Sequence, residues 1–169
     1  NCESYDNMDA AMNNADGFAA KISVGNGNVF KGCIAHNNCD DGWDLFSKLE
    51  IGAIGAVTIE DCITYDNGNL SDGTRTDGDG NGFKLGGEGI PVKHTLINSL
   101  SFNNNHAGIT GNSNPAIIVK GCTSVDNDVN YSLDYYTNVK LLYQFDNNIS
   151  YMTKAGNNDF IPDVVKGET

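Results

Sequence analysis

"GCIAHNN", residues 32–38, is a polar phrase with one cysteine and two closing asparagines, and it recurs along the chain. "NCESYDN" starts at Asn1, "DCITYDN" at Asp61, "NSLSFNN" at Asn98 and "GCTSVDN" at Gly121, with a weaker "NNISYMT" from Asn147. The starts lie 31, 29, 37, 23 and 26 residues apart, so the shortest spacing is one structural unit and the longer ones carry loops. Most copies are preceded by a short apolar segment, "NVFKG", "AVTIE", "AIIVK" or "VKLLYQF". Most are followed by a glycine-centred one, "DGFAAK", "DGWDLF", "NGFKLG" or "HAGIT". Three short β segments per unit, parted by Asn and Gly turns, are what a parallel β-helix requires, because each coil buries its apolar face by stacking on the next. The predicted fold is all-β, a solenoid of about five to six coils.

Composition agrees with that reading. Twenty glycines against three prolines point to tight turns and little helix. A chain of 169 residues, 39% hydrophobic, is long enough to bury one core. One domain is expected over residues 1–155, with 156–169 as a C-terminal tail or the start of a further segment. The formal net charge of −12 argues against nucleic acid or an anionic membrane as partner, unless a cation bridges them. No apolar run approaches the roughly 20 residues that span a bilayer, and no basic and apolar leader opens the sequence.

In the repeat, Cys2, Cys33, Cys62 and Cys122 share one position with Ser99. They are expected to form an inward stack of small buried thiols. A Cys33–Cys62 disulfide stays open, since neighbouring rungs are about 4.8 Å apart. The closing asparagines, Asn7, Asn38, Asn67, Asn104 and Asn127, read as a ladder at a turn that tolerates left-handed backbone.

Aligning the glycine-centred strands on Gly17, Gly42 and Gly82 superposes Phe18, Trp43 and Phe83, and beside them Ala19, Asp44 and Lys84. Side chains alternate faces along a strand, so the aromatic column points inward and the Asp44, Lys84 column outward. Before each glycine stand Asp16, Asp41 and Asn81, with Asp40 ahead of Asp41. Four carboxylates from two coils therefore converge on one edge, where mutual repulsion calls for a positive occupant. A hard divalent cation such as calcium, which takes six to eight oxygens, is the natural one. Such a cation would also favour a neutral Lys84, and a neutral lysine is a base. The simpler alternatives are a solvated acidic turn and a Lys84–Asp44 surface ion pair.

The segments "NADGFAAK", "HNNCDDGWDLF" and "NGFKLGGEGI", in that order, resemble the family nine polysaccharide lyases, secreted bacterial pectate lyases with a right-handed parallel β-helix. The resemblance covers most of residues 13 to 127. It implies that Asp16, Asp40, Asp41 and Asp44 bind a catalytic Ca²⁺ and that Lys84 is the Brønsted base. It also implies an acidic polysaccharide, polygalacturonate or pectin, as substrate, and a secreted location. The family's chains carry several coils ahead of this point, so the sugar-binding groove is expected to need N-terminal coils from the same or another chain.

Further polar residues lie outside the aspartate column. Arg75, in the inserted loop "SDGTRTDGDG", is placed to clamp a uronate carboxylate. His106, in "NNNHAGITGN", is placed to line the groove one rung beyond Lys84, with an exposed turn as its alternative. "DGDGNGFKLGGE" meets the EF-hand offsets but lacks flanking helices, which leaves Asp77 and Asp79 as candidates for a looser accessory cation. Two rival functions share the solenoid: a non-catalytic, calcium-stabilised adhesin or carbohydrate-binding module, and a pectin hydrolase working through paired carboxylates.

Overall fold

A computed structural model describes residues 1–163; the last six residues of the expected tail, 164–169, lie outside the described residues. The chain winds through three strands per coil. The first coil holds β1 (Glu3–Tyr5), β2 (Phe18–Ala19) and β3 (Asn28–Lys31), and the second β4 (Ile34–His36), β5 (Trp43–Asp44) and β6 (Val57–Glu60). The third holds β7 (Ile63–Tyr65), β8 (Phe83–Lys84) and β9 (Thr95–Ile97), and the fourth β10 (Leu100–Phe102), β11 (Ala107–Thr110) and β12 (Ile118–Lys120). The fifth holds β13 (Thr123–Asn127), β14 (Val129–Ser132) and β15 (Gln144–Asp146), and β16 (Ile149–Thr153) opens a sixth. Corresponding strands pair in parallel into three sheets, in the orders β1-β4-β7-β10-β13-β16, β2-β5-β8-β11-β14 and β3-β6-β9-β12-β15.

All six copies of the repeated phrase fall in the first sheet and in register, as in Ser4↔Ala35↔Thr64↔Ser101↔Ser124↔Ser150. The middle residue of each copy must be small because the second sheet begins directly above it. A Cβ added to Gly42 would stand 2.2 Å from Thr64 Oγ1 and 2.7 Å from the Gly82 carbonyl, so this strand can start only with glycine. The second sheet then drops its large side chains into the core, with Phe18, Trp43 and Phe83 stacked at centroid spacings of 4.8 and 4.9 Å. Leu45, Leu85, Ile109 and Tyr131 extend that wall, and Val57, Ile59, Leu96 and Val119 face it from the third sheet.

The cysteine column is buried from Cys33 through Cys62 and Ser99 to Cys122, while Cys2 at the open end is exposed and all five thiols are free. The thiols of Cys33, Cys62 and Cys122, like the Ser99 hydroxyl, each donate to the carbonyl two residues earlier, which is why serine can replace cysteine there. The asparagine ladder is continuous: Nδ2 of Asn7, Asn38, Asn67 and Asn104 each donates to Oδ1 of the next ladder residue at 2.7–2.9 Å. The left-handed backbone falls one residue earlier than expected, at Asp6, Asn37, Asp66, Asn103 and Asp126. Those side chains reach solvent, which leaves the ladder residues free to bond inward.

Two strands carried too little signal in the sequence. β9 has one fully buried side chain, Leu96, and β14 follows β13 after a single residue. Residues before 164 also do more than trail: Phe160 pairs in parallel with Ser132, and Asp159 Oδ1 accepts from the amides of Asn130 and Tyr131. They extend the second sheet by another rung.

Candidate active site

The column Ala19↔Asp44↔Lys84 is in the expected register and faces outward from the second sheet. Behind it the turns before β2 and β5 bring Asp16, Asp40 and Asp41 together, with one carboxylate oxygen from each lying within 4.8 Å of the others. Each aspartate is aimed by the backbone. Asp16 Oδ1 accepts from the Asp41 amide, Asp40 Oδ1 from Asp79, Asp41 Oδ1 from Asn81 and Asp44 Oδ1 from Phe46, at 2.8–3.2 Å. One oxygen of every carboxylate is thereby fixed, and the other is left to face charge.

Two ammonium groups answer it. Lys84 Nζ lies 2.9 Å from Asp41 Oδ2, 3.9 Å from Asp44 Oδ2 and 4.0 Å from Asp79 Oδ2. Lys21 Nζ lies 2.7 Å from both Asp16 Oδ2 and Asp44 Oδ2. Asp44 is thus turned toward Lys21 and stands apart from the tight group of three. Lys21 had no assigned role in the sequence, although the alternation that puts Ala19 outward puts Lys21 there too. Asn81 was likewise only a member of a polar column. In the structure its side chain donates to Asp41 Oδ1 at 2.8 Å and accepts from His106 Nδ1 at 2.9 Å. His106 is therefore an exposed residue tethered to the acidic cluster through Asn81.

The loop candidates stay at the rim. Asp79 is exposed and lends its amide to Asp40, and Asp77 is exposed with its amide on the Met12 carbonyl. Arg75 is exposed and pairs through its backbone with Asn69. The EF-hand pattern does not form, since its second half is β8.

The electrostatics follow from burial. Loss of solvation, then the charges of Asp40 and Asp44, push the Asp41 carboxyl up to about 8 against the pull of Lys84. Burial, with Asp16 and Asp79 nearby, pushes Asp40 up to about 6. Asp16 rises for the same first reason. Burial pulls Lys84 down, but the charges of Asp41 and Asp44 outweigh it, so its ammonium is held well above the ordinary lysine range. Without a cation, Lys84 is held as its ammonium, a conjugate acid and no base.

The donor set fits a hard divalent cation. Its ligand atoms are carboxylate oxygens, and Asp41 Oδ2 is buried with the Lys84 ammonium at 2.9 Å to answer it. Lys21, Lys84, Asp44 and Phe46 line an adjoining groove of ≈ 330 Å³.

Comparison with known proteins adds a family. Residues 1–154 match the model of the Pel9A-like, right-handed β-helix region. Pectate lyase L of Thermoclostridium stercorarium is 50% identical over 160 residues, covering 94% of this chain and 13% of that protein. The crystal structure of pectate lyase Pel9A matches with a TM-score of 0.75 and 33% identity, over 94% of this chain and 40% of that one. A rhamnogalacturonan lyase matches with a TM-score of 0.81 and 29% identity, over 96% and 45%. The chain spans less than half the length of each of these.

Proposed function

As the chain belongs to the Pel9A-like right-handed β-helix family, we propose that it is the catalytic region of a secreted, calcium-dependent pectate lyase that cleaves polygalacturonate by β-elimination. The observation that carries this reading is the convergence of Asp16, Asp40 and Asp41 on one point, with Lys84 Nζ 2.9 Å from Asp41. Asp16, Asp40 and Asp41 would hold the ion, with Asp44 alongside. When bound, calcium supplies positive charge that bridges this acidic protein to a uronate carboxylate and acidifies the C5 proton of that sugar.

Lys84 takes the C5 proton. The C5–H electron pair becomes the C4–C5 double bond, the C4–O bond breaks, and solvent protonates the departing oxygen. The products are a new reducing end and a chain with an unsaturated sugar at its non-reducing end. Lys84 can act only after losing its own proton, which requires that the negative charge beside it be neutralised. Activity therefore rises toward alkaline pH.

The test is ultraviolet absorbance of the unsaturated product on polygalacturonate with calcium, for the wild type, Lys84→Ala and a chelated sample. Absorbance is expected to rise for the wild type alone, with Lys84→Ala down about a hundredfold to ten-thousandfold, the scale of losing a general base. Equal absorbance in all three would overturn the reading. Calcium-dependent melting without turnover would favour the non-catalytic solenoid, and cleavage without calcium or Lys84 the hydrolase. The likeness to a rhamnogalacturonan lyase makes rhamnogalacturonan the second substrate to assay.

A further inference from the structure

Basic side chains are scarce in this protein, ten against 22 acidic ones. Three of the ten, Lys21, Lys48 and Lys84, line a groove beside the aspartate cluster. Its ≈ 330 Å³ is at the lower end of the about 300–1,000 Å³ typical of small-ligand sites. Two of the three ammonium groups are committed. Lys21 sits between Asp16 and Asp44, and Lys84 against Asp41, all carboxylates with almost no exposure. Asp44, the acidic group on the groove wall, has its charge answered by Lys21.

Lys48 is different. Its side chain is 43% exposed, and its ion partner is Glu50, 77% exposed, at 3.1 Å. A pair so open to water holds its members weakly. The backbone beneath is firmly placed. Lys48 pairs with Gly52 across a tight turn, its carbonyl accepts from the amides of Ile51 and Gly52 at 2.9 and 2.7 Å, and Glu88 Oε2 accepts from the next amide, Leu49. The structure thus holds the root of Lys48 fixed at the groove and leaves its charge free to exchange Glu50 for another carboxylate. Phe46 offers an apolar surface in the same groove, 6.0 Å from Lys84 Nζ.

We propose that Lys48 is a substrate-binding residue that holds the carboxylate of a hexuronate unit neighbouring the one at Lys84, and so favours unesterified over methyl-esterified chains. The proposal rests on the lyase reading above for the position of the reacting unit. An ester carries no charge for the ammonium to hold, so Lys48 discriminates by a charge-assisted contact that only the free acid makes.

The test measures calorimetric binding of an unesterified oligogalacturonate and of its methyl ester, with calcium, to the wild type, Lys48→Met and Lys48→Arg, beside kcat and KM on both polymers. Lys48→Met is expected to weaken binding of the free acid about tenfold, to leave the ester nearly unaffected, and to lower kcat/KM on polygalacturonate mainly through KM. Lys48→Arg is expected to restore most of the loss, and the exposed position keeps all three proteins folded, which their melting temperatures check. An unchanged preference for the free acid in Lys48→Met overturns the proposal while leaving the lyase intact. Lys48-dependent binding without turnover in the wild type overturns the lyase and leaves Lys48 standing. A wild type that binds neither oligomer overturns both.

Discussion

At the scale of single residues, the site is built by giving every aspartate one oxygen locked on a backbone amide and one oxygen presented to charge. Lys21 is the residue that makes this tolerable without a cation, because it neutralises Asp16 and Asp44 at 2.7 Å each. Replacing it with methionine keeps the aliphatic stem and removes the charge, taking the close ammonium from two nearly buried carboxylates and leaving Asp44 only Lys84 at 3.9 Å. Breaking such pairs costs about 3–5 kcal/mol when fully buried, and Lys21 is 23% exposed, so about 2 kcal/mol is expected. Chemical denaturation of Lys21→Met in chelator should show that loss, and calcium should recover much of it. A variant as stable as the wild type in chelator would show that Asp16 and Asp44 do not depend on Lys21.

At the scale of elements, the corner between the first and second sheets is held by side-chain amides doing the work of backbone. Asn67 accepts from the Asn38 side chain, and donates to Thr64 Oγ1 and Asn104 Oδ1, all at 2.8–2.9 Å and with no solvent exposure. Asn67→Leu preserves size but strands three buried partners, at an expected cost of about 3 kcal/mol. Asn7→Leu, at the end of the same ladder and half-exposed, should cost well under half as much. Guanidinium denaturation of the two variants compares them directly, and equal losses would mean that the ladder is not a cooperative structural feature. The outer side of the first sheet is ordered differently, by rings: Tyr5, His36, Tyr65 and Phe102 stack at centroid spacings of 4.6–5.1 Å. His36, which has no metal-ligand spacing in the sequence, is a member of that stack.

At the scale of the whole molecule, two buried sets of titrating groups oppose each other. His94 is fully buried with Nδ1 accepting from the Val57 amide, and burial pulls its imidazole down to about 4. A depressed folded value means stability that is present above the ordinary 6.5 and lost as pH falls toward 4. Asp40 and Asp41 are raised to about 6 and about 8, so their contribution is greatest at low pH and is lost as pH rises through those values. In chelator the two aspartates outweigh the one histidine, so the melting temperature should fall steadily as pH rises from about 4 into an alkaline limb near 8. Calcium, by neutralising the ionised aspartates, should flatten that fall and uncover the loss toward acid pH that belongs to His94. Thermal melts from pH 4 to 9 with and without calcium check this, and an alkaline limb indifferent to calcium would show that the ion does not meet Asp40 and Asp41. The fold itself was legible in the sequence because a solenoid writes its register repeatedly: six copies of one phrase fix which residues stack, and the spacing of Gly17, Gly42 and Gly82 fixes the column holding Asp44 and Lys84. β9 and β14 are not legible there because a three- or four-residue strand with one or two buried side chains carries no periodicity. Sequence alone thus determined the rungs and which residues share an edge, since these follow from backbone pairing repeated at every coil. Only the tertiary structure decided which ammonium meets which carboxylate, that Asp44 faces Lys21, and that Lys48 is the lysine of the groove left with an exposed partner. Those outcomes depend on side-chain reach across three coils and on how much water each group keeps.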